Sequence, residues 1–320
     1  MMEAVLRLAV PREPIHRYGW YPPINQTVTI SRQDTDGHFR SVNVTYSYHG
    51  FKRWGDPDTN KTKVFIMGDS FTEMSFVNNG EEYYAYLEDA FDVELFVFGA
   101  GGYGTLQEYM VYKDYLDIID PDVIIWQFYF NDFINNVFEF DRREYPLNSL
   151  SFRPFLEGQS IVYRFPAPLG WLRSRSRTMD IALGLHDRVR RSIAARDDVF
   201  YHKVYGKNFW DKDFTEAEIF DNQFDEAFQT TYRILAAAKR QAEDRPFYMF
   251  GVDEKLTQHE ERLCGLTNIT FIGRVDDILK LREAEGVQVQ ITGDRHWNRE
   301  GNRVVGEFLV SYFREGKVFS

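Results

Sequence analysis

Four short stretches of the chain contain the residue types that acyl transfer requires. Ser70 offers a hydroxyl nucleophile, His296 offers a base for its proton, and Asp294 lies two residues before that histidine. Asn131 and a run of glycines that includes Gly104 offer N–H groups that could stabilise a negatively charged oxygen. A nucleophile, a base, a group that orients the base and oxyanion donors together make a serine-type acyl-transfer site. They can act only if the fold brings them to one place.

Short apolar strands alternate with amphipathic helices from Lys63 onward. Strands are predicted at 63–67, 93–98, 123–128, 247–252, 269–272 and 287–291, and helices at 81–91, 105–119, 220–243, 255–264, 276–285 and 299–313. Strands separated by such helices imply right-handed crossovers and a parallel sheet with helices on both faces. The sequence therefore predicts an α/β fold, in which the candidate residues follow strands and share the carboxyl edge of one sheet.

Two regions do not follow this alternation. Residues 1–60 are polar and extended, with hairpin-like alternation at 27–30 and 41–44, and they are predicted to form an N-terminal arm. Residues 61–320 are predicted to form one catalytic domain. Within it, 133–215 carries arginines beside aromatic residues and is predicted to be an irregular, partly helical insertion after the third strand. Because this insertion begins just after Asn131, we expect it to influence substrate choice.

The composition excludes several classes of protein. A chain of 320 residues with 43% hydrophobic and 27% charged residues can build a globular core. Its net charge of -11 argues against a nucleic-acid partner. The one cysteine, Cys264, excludes an intramolecular disulfide and a cysteine-rich metal site, and no apolar run is long enough to span a membrane.

A serine-type acyl-transfer site requires neither a cofactor nor a metal, and we expect none. The oligomeric state is left open. Localisation is also left open, and the lack of disulfides and of a signal-like N-terminus slightly favours the cytoplasm over an extracytoplasmic site.

Four motifs together resemble those of the SGNH (GDSL-type) hydrolase superfamily. They occur in the family's order, each after a predicted strand: Gly68-Asp69-Ser70-Phe71-Thr72, Gly102-Tyr103-Gly104-Thr105, Phe130-Asn131-Asp132-Phe133 and Asp294-Arg295-His296-Trp297-Asn298. The resemblance is to the branch of bacterial polysaccharide acetylesterases and acetyltransferases. It implies a flavodoxin-like three-layer sandwich with a central parallel sheet and an ester substrate, either a carbohydrate or a small molecule.

The resemblance also implies a role for each candidate residue. Ser70 is expected to be the nucleophile, His296 the general base and Asp294 the carboxylate that orients the imidazole. The expected oxyanion donors are the backbone N–H groups of Ser70 and Gly104 and the side-chain amide of Asn131. The group removed is expected to be acetyl or another short acyl group.

The sequence departs from the family pattern at two positions. The family usually places its acid three residues before the histidine, and here that position is Gly293, so that Asp294 is one residue closer. The glycine motif often opens with asparagine, and here it opens with Gly99.

Other interpretations stay open at this point. The same constellation could transfer an acetyl group to a polysaccharide, or it could survive in a binding protein that has no activity. The spacing Gly99-x-Gly101-x-x-Gly104 also satisfies a dinucleotide-binding fingerprint, although the acidic residue that should end the next strand, Asp132, comes late. The arginines of the insertion could bind an anion, or they could form a solvated face.

Overall fold

The computed structural model describes residues 17–33, 39–144, 152–164, 172, 175–194, 222–252, 257–291 and 295–319. The chain divides into two compact units. The larger comprises 22–132 and 232–320, and the smaller comprises 1–21 and 133–231. Gly293, Asp294 and parts of the predicted insertion lie outside the described residues.

Strands and helices alternate along most of the described chain. The strands are β1 (Gln26–Gln33), β2 (Phe39–Tyr46), β3 (Arg53–Trp54), β4 (Thr62–Gly68), β5 (Val93–Gly99), β6 (Val123–Phe128), β7 (Arg153–Glu157), β8 (Ser160–Arg164), β9 (Phe247–Gly251) and β10 (Thr270–Arg274). The helices are α1 (Ser70–Glu73), α2 (Ala85–Ala90), α3 (Thr105–Ile119), α4 (Asn131–Ile134), α5 (Phe138–Glu144), α6 (Arg177–Ala194), α7 (Asn222–Ala242), α8 (Thr257–Thr267), α9 (Val275–Ala284) and α10 (Arg299–Glu315).

The larger unit contains a six-stranded sheet in the order β10-β9-β6-β4-β5-β3. Five of its strands are parallel, and only the edge strand β3 runs antiparallel to its neighbour β5. The residues from Val64 to Met67 in β4 are fully buried, as expected of a strand covered on both faces. The predicted α/β fold with a parallel sheet is confirmed.

The strand β4 lies in the middle of this sheet, and the chain winds to either side of it. β5 pairs with one edge of β4, and β6 pairs with the other. In open α/β sheets such a reversal of strand order opens a crevice outside the carboxyl ends of the strands, where ligands bind. The loops that follow β4, β5 and β6 therefore border one crevice.

One predicted strand, 287–291, is wrong. This stretch forms a single antiparallel bridge between Gln290 and Trp297 and is not a member of the described sheet. The backbone N–H of Ile291 donates to the carbonyl of His296 at 3.0 Å, so the segment pairs with the chain that follows it. Alternating apolar residues indicate extended backbone, but they do not specify which chain it pairs with.

A hairpin lies within the stretch predicted as an N-terminal arm. β1 and β2 pair antiparallel, and their apolar face contributes a small cluster of buried residues from β2: Val42, Val44 and Tyr46. The strand β3, which falls within the stretch predicted as an arm, pairs with β5 of the central sheet.

The smaller unit contains the β7–β8 hairpin and a buried ion pair. Gly158 adopts a positive φ of 60° in the turn between the two strands, a conformation that favours glycine. The Arg153 guanidinium lies 3.1 Å from the Asp141 carboxylate, and both side chains are fully buried. Burial raises the pKa of Asp141 to about 6, although Arg153 acts in the opposite direction. The indole ring of Trp20 lies 5.1 Å from the guanidinium carbon.

The helix α6 of this unit carries part of the arginine-rich sequence. Arg177 forms an ion pair with Asp180 at 2.5 Å, so a carboxylate of the same helix balances the charge of this arginine. The side chains of Arg173, Arg188, Arg190 and Arg191 lie outside the described residues. Within the described residues, no helix is both long and apolar enough to cross a membrane.

A lysine is buried between the hairpin and the edge of the central sheet. Lys52 is 2% exposed, and its ammonium lies 4.9 Å from the ring centroid of Tyr46. Burial lowers the pKa of Lys52 to about 8, although the charges of Glu82 and Glu73 act in the opposite direction. The free-energy cost of burying the charged ammonium is therefore larger than its favourable electrostatic interaction with these two carboxylates.

Replacing Lys52 by methionine should stabilise the protein at neutral pH. The folded-state pKa of about 8 lies below the ordinary 10.5, so the unfolded chain binds more protons between these values and wild-type stability rises with pH across that window. We expect Lys52→Met to raise the free energy of unfolding by roughly 1–3 kcal/mol at pH 7, with the gain shrinking as the pH approaches 10. Urea unfolding at both pH values measures this.

The matched control is Lys61→Met, because Lys61 is half-exposed and pairs with Asp92 at the surface. Its effect should stay within about 0.5 kcal/mol. A Lys52→Met protein that is less stable than wild type at pH 7, or whose gain is the same at pH 10, would contradict the prediction.

Candidate active site

Three loops meet at the carboxyl edge of the central sheet. Ser70 follows β4, the loop 99–104 (hereafter the glycine loop) follows β5, and Asn131 follows β6. Gly68 at the end of β4 is the register partner of Gly99 at the end of β5, so the first two loops leave the sheet at the same level. The parallel sheet thus places three of the candidate residues in one crevice.

Ser70 and His296 are in hydrogen-bond contact. The Nε2 atom of His296 lies 2.7 Å from the Ser70 Oγ, although 226 positions separate the two residues. The histidine lies between Ile291 and α10 in sequence, and its carbonyl oxygen accepts a hydrogen bond from the Ile291 N–H at 3.0 Å. The side chain of Asn298 begins α10 by accepting a hydrogen bond from the Gly301 N–H at 2.9 Å.

Asp69 orders the turn that carries the serine. Its carboxylate accepts a hydrogen bond from the Phe71 N–H at 2.9 Å and thereby caps the short helix α1. Burial raises the pKa of Asp69 to about 6, although the Phe71 N–H and the electrostatic interaction with His296 act in the opposite direction.

Gln127 fixes the same turn from the neighbouring strand. Its Oε1 accepts hydrogen bonds from the Asp69 N–H at 3.1 Å and from the Thr72 hydroxyl at 3.0 Å. The Thr72 oxygen also lies 3.0 Å from the hydroxyl of Tyr83. All of these side chains are buried. A Cβ atom on Gly68 would lie 2.2 Å from the Gln127 Oε1, so this junction requires glycine.

Asn131 connects the third loop to the glycine loop. Its Nδ2 donates to the Tyr103 carbonyl oxygen at 3.1 Å and thereby fixes the plane of the peptide whose N–H belongs to Gly104. That N–H donates to the Gln107 Oε1 at 3.4 Å, a long bond. By contrast, the Gly101 N–H is held at 2.8 Å by Glu73. The Gly104 N–H is therefore held less tightly than the Gly101 N–H.

The glycine loop lies directly against the helix that carries the serine. A Cβ atom on Gly99 would lie 2.1 Å from the Glu73 backbone nitrogen. The Glu73 carboxylate accepts one hydrogen bond from the Gly101 N–H and another from the Tyr46 hydroxyl at 2.5 Å. This close approach explains why the motif opens with glycine here, because an asparagine side chain would collide with the backbone of α1.

Two more buried carboxyl groups lie behind the loops. Asp132 accepts a hydrogen bond from the Tyr129 N–H at 2.8 Å, and Glu108 accepts one from the Trp126 indole at 2.5 Å. Burial and the electrostatic repulsion between these groups and Asp69 raise the pKa values of Asp132 and Glu108 well above their ordinary values. Because Asp132 accepts a bond from its own loop, it holds the turn that presents Asn131.

Sequence reasoning missed two residues that position this site. Gln127 gave a usable signal, because it is the only strongly polar side chain in the apolar strand Val123–Phe128. Glu73 gave none, because its partners Tyr46 and Gly101 are distant in sequence. Asp294, the predicted orienting acid, lies outside the described residues, so its role stays a prediction.

Adding a side chain to Gly99 should damage both the fold and the site. We expect Gly99→Ala to lower stability and to remove most activity, because the new Cβ would push α1 and Ser70 away from the glycine loop. Gly99→Asn, which restores the residue more usual in the family, should be at least as harmful. Thermal unfolding and ester hydrolysis measure the two effects.

Gly265→Ala is the matched control, since Gly265 lies in the helix α8 and nothing lies within 4 Å of an added Cβ there. It should be neutral or stabilising by up to about 1 kcal/mol. Wild-type activity and stability in Gly99→Asn would show that the loop and the helix can move apart.

Comparison with known proteins identifies the family. The model of the family described as GDSL-like lipase/acylhydrolase matches residues 64–309, and no curated protein matches the chain. A solved structure of a member of the lipolytic G-D-S-L family from Veillonella parvula DSM 2008 shares 12% identity, covering 79% of this chain and 98% of its own, with a TM-score of 0.42. The psychrotrophic esterase EstA from Pseudoalteromonas sp. shares 8% identity, covering 80% and 99%, with a TM-score of 0.41. The acetylxylan esterase Axe2 from Geobacillus stearothermophilus shares 10% identity, covering 82% of this chain and 96% of its own, with a TM-score of 0.38.

Because the family model spans most of the sequence, including Ser70 and His296, the chain belongs to the GDSL-like lipase/acylhydrolase family.

Proposed function

We propose that the protein hydrolyses carboxylic esters through an acyl-Ser70 intermediate, removing acetyl or other short acyl groups from a carbohydrate or a small ester. Membership of the family gives the class of reaction. The observation that carries the mechanism is the 2.7 Å contact between His296 Nε2 and Ser70 Oγ, which is the distance at which a general base can take a hydroxyl proton.

In the first half of the proposed reaction, the Ser70 Oγ attacks the ester carbonyl carbon while its proton moves to His296 Nε2. The carbonyl oxygen becomes an oxyanion in the tetrahedral intermediate. When the intermediate collapses, the bond to the alcohol breaks, the alcohol oxygen takes the proton from Nε2, and the acyl group remains on the serine oxygen.

In the second half, water takes the place of the alcohol. His296 accepts a proton from water as its oxygen attacks the acyl carbon, and it returns that proton to Ser70 Oγ as the carboxylic acid leaves. Asp294 is proposed to hold the imidazole in the required tautomer. A sugar hydroxyl could attack in place of water, which would make the protein an O-acetyltransferase.

The oxyanion is proposed to lie among the Ser70 N–H, the Gly104 N–H and the Asn131 Nδ2. The buried contact of Asn131 with Tyr103 supports this role, because a donor that is already oriented needs no reorganisation when charge develops. The long bond from the Gly104 N–H to Gln107 supports it too, because such a bond is easily exchanged for one to an oxyanion.

The first experiment asks whether Ser70 forms the acyl enzyme. Hydrolysis of p-nitrophenyl acetate and butyrate, with labelling by a fluorophosphonate probe, should be lost in Ser70→Ala by a factor of at least about 10³. Ser311→Ala, at a distant surface serine, is the control and should behave as wild type. Turnover that survives in Ser70→Ala would refute the assignment of the nucleophile.

The same assay identifies the acceptor. With p-nitrophenyl acetate as the donor, product analysis with and without an unacetylated oligosaccharide acceptor separates free acetate, expected from a hydrolase, from a newly acetylated sugar. Formation of acetylated sugar at the expense of acetate would favour the transferase over the hydrolase.

Removing the side-chain donor tests the oxyanion assignment. Asn131→Ala should lower kcat by about 10²–10³-fold while fluorophosphonate labelling continues slowly, because Ser70 and His296 remain in place. Asn60→Ala, at an exposed position, should leave kcat unchanged. A loss of less than threefold in Asn131→Ala would exclude its amide as an oxyanion donor.

A further inference from the structure

The imidazole of His296 lies between two phenylalanine rings. The ring centroid of Phe76 is 4.2 Å from that of His296, with an interplanar angle of 19°. The ring of Phe71 lies 4.7 Å away with an angle of 23°. Both contacts are stacked, so the imidazole presents its ring nitrogens at its edge while aromatic rings pack against its faces.

The chain around Ser70 places these rings. Phe71 is 1% exposed and is held by contacts of 4.7 Å with Tyr129 and 4.9 Å with Trp297. Phe76 follows the end of α1, where Met74 adopts a left-handed conformation with φ 45° and ψ 52° and so turns the chain. Phe76 is only partly buried, whereas Phe71 belongs to the core. Of the two, Phe76 is therefore the one that can be altered without opening the core.

The stacked rings matter when the histidine becomes charged. In the proposed reaction Nε2 gains the serine proton, and the imidazole becomes an imidazolium in the transition state. The face of an aromatic ring attracts a cation, by an amount that grows as water is excluded. Neutral imidazole lacks this attraction, so the rings stabilise the transition state more than the ground state.

Other charged and polar groups lie near this histidine in space or in sequence. The Ser70 hydroxyl contacts its edge, and the buried Asp69 carboxylate interacts with it electrostatically. Arg295 is adjacent in sequence and exposed, and the predicted orienting acid Asp294, two residues before the histidine in sequence, lies outside the described residues. A test must therefore change the aromatic ring while leaving all four of these groups in place.

We propose that Phe76 is a positioning residue that holds the His296 imidazole by stacking and stabilises the imidazolium formed during acyl transfer. This inference rests on the proposed function of His296 as the general base. It requires an aromatic ring at position 76, whereas simple filling of space would require only an apolar side chain.

The experiment compares Phe76→Leu with Phe76→Trp and Phe76→Tyr. For p-nitrophenyl acetate we expect Phe76→Leu to lower kcat about three- to tenfold with KM within twofold. The acid limb of its pH–rate profile should move to lower pH by roughly half a unit, because the imidazolium is less stable. The two aromatic variants should restore most of the lost rate and the position of the acid limb.

Phe91→Leu is the matched control. Phe91 is another partly buried phenylalanine, and its ring packs against Phe319 near the C-terminal end of the described residues. It should change neither kcat nor the acid limb. The proposal is overturned if Phe76→Leu keeps the wild-type rate and profile, if all three Phe76 variants lose rate equally, or if only KM changes.

A second measurement separates this proposal from the proposed function. An NMR titration of the His296 ring, assigned with His296→Gln, needs no catalysis. A lower titration midpoint in Phe76→Leu than in wild type would support the stacking role even if the protein hydrolysed no ester. An unchanged midpoint would refute it even if Ser70→Ala abolished hydrolysis.

Discussion

The close contact between the serine turn and the glycine loop is the constraint on which the rest of the site depends. Backbone lies against backbone there, and a single methyl group on Gly99 would fall 2.1 Å from the nitrogen of Glu73. A side chain at Gly68 would also be too close to a neighbour, since its Cβ atom would lie 2.2 Å from the side-chain oxygen of Gln127. The two glycines end neighbouring strands in register, so the sheet itself sets the separation of the loops.

The glycines allow the serine turn and the glycine loop to pack closely, and buried hydrogen bonds then hold the two in place. The carboxylate of Asp69 and the amide of Gln127 hold the serine turn, while Glu73 ties that turn to the hairpin through Tyr46. Unpaired polar groups are costly in such an interior, so each of these bonds disfavours any other arrangement of the loops. The raised pKa values of Asp69 and of its buried acidic neighbours are the electrostatic cost of this arrangement.

Most of the fold could be predicted from the sequence because local signals agreed with the long-range structure. The strand at 123–128 and the helix at 105–119 have the predicted bounds, since a turn signal, Asp120-Pro121, separates them. The stretch 287–291 was mispredicted because its alternation says nothing about its partner. The edge strand β3 has two residues, too few for a periodic signal, and the helix predicted from Glu81 begins only at Ala85.

The candidate site divides in the same way. Ser70, Gly104 and Asn131 could be proposed because each follows a strand that the sequence reveals. His296 could be proposed from its motif alone, since the strand predicted before it is not part of the described sheet. Glu73 and Phe76 act through partners that only the folded chain brings near, so no local pattern marks them. Gln127 does stand out as a polar residue in an apolar strand, but its partners become visible only in the folded chain. Phe76 in particular looks like an ordinary apolar residue of a loop until the imidazole is placed beside it.

The distance in sequence between Ser70 and His296 has a consequence for the growing chain. A ribosome releases the serine, its turn and the glycine loop long before it reaches the histidine 226 residues later. Throughout that interval the nascent protein carries the proposed nucleophile without its proposed proton acceptor, and on the proposed mechanism we expect esters in its surroundings to acylate it only slowly. On the same mechanism, reactivity would begin only when His296 reaches Ser70, after the strands of the described central sheet have been synthesised.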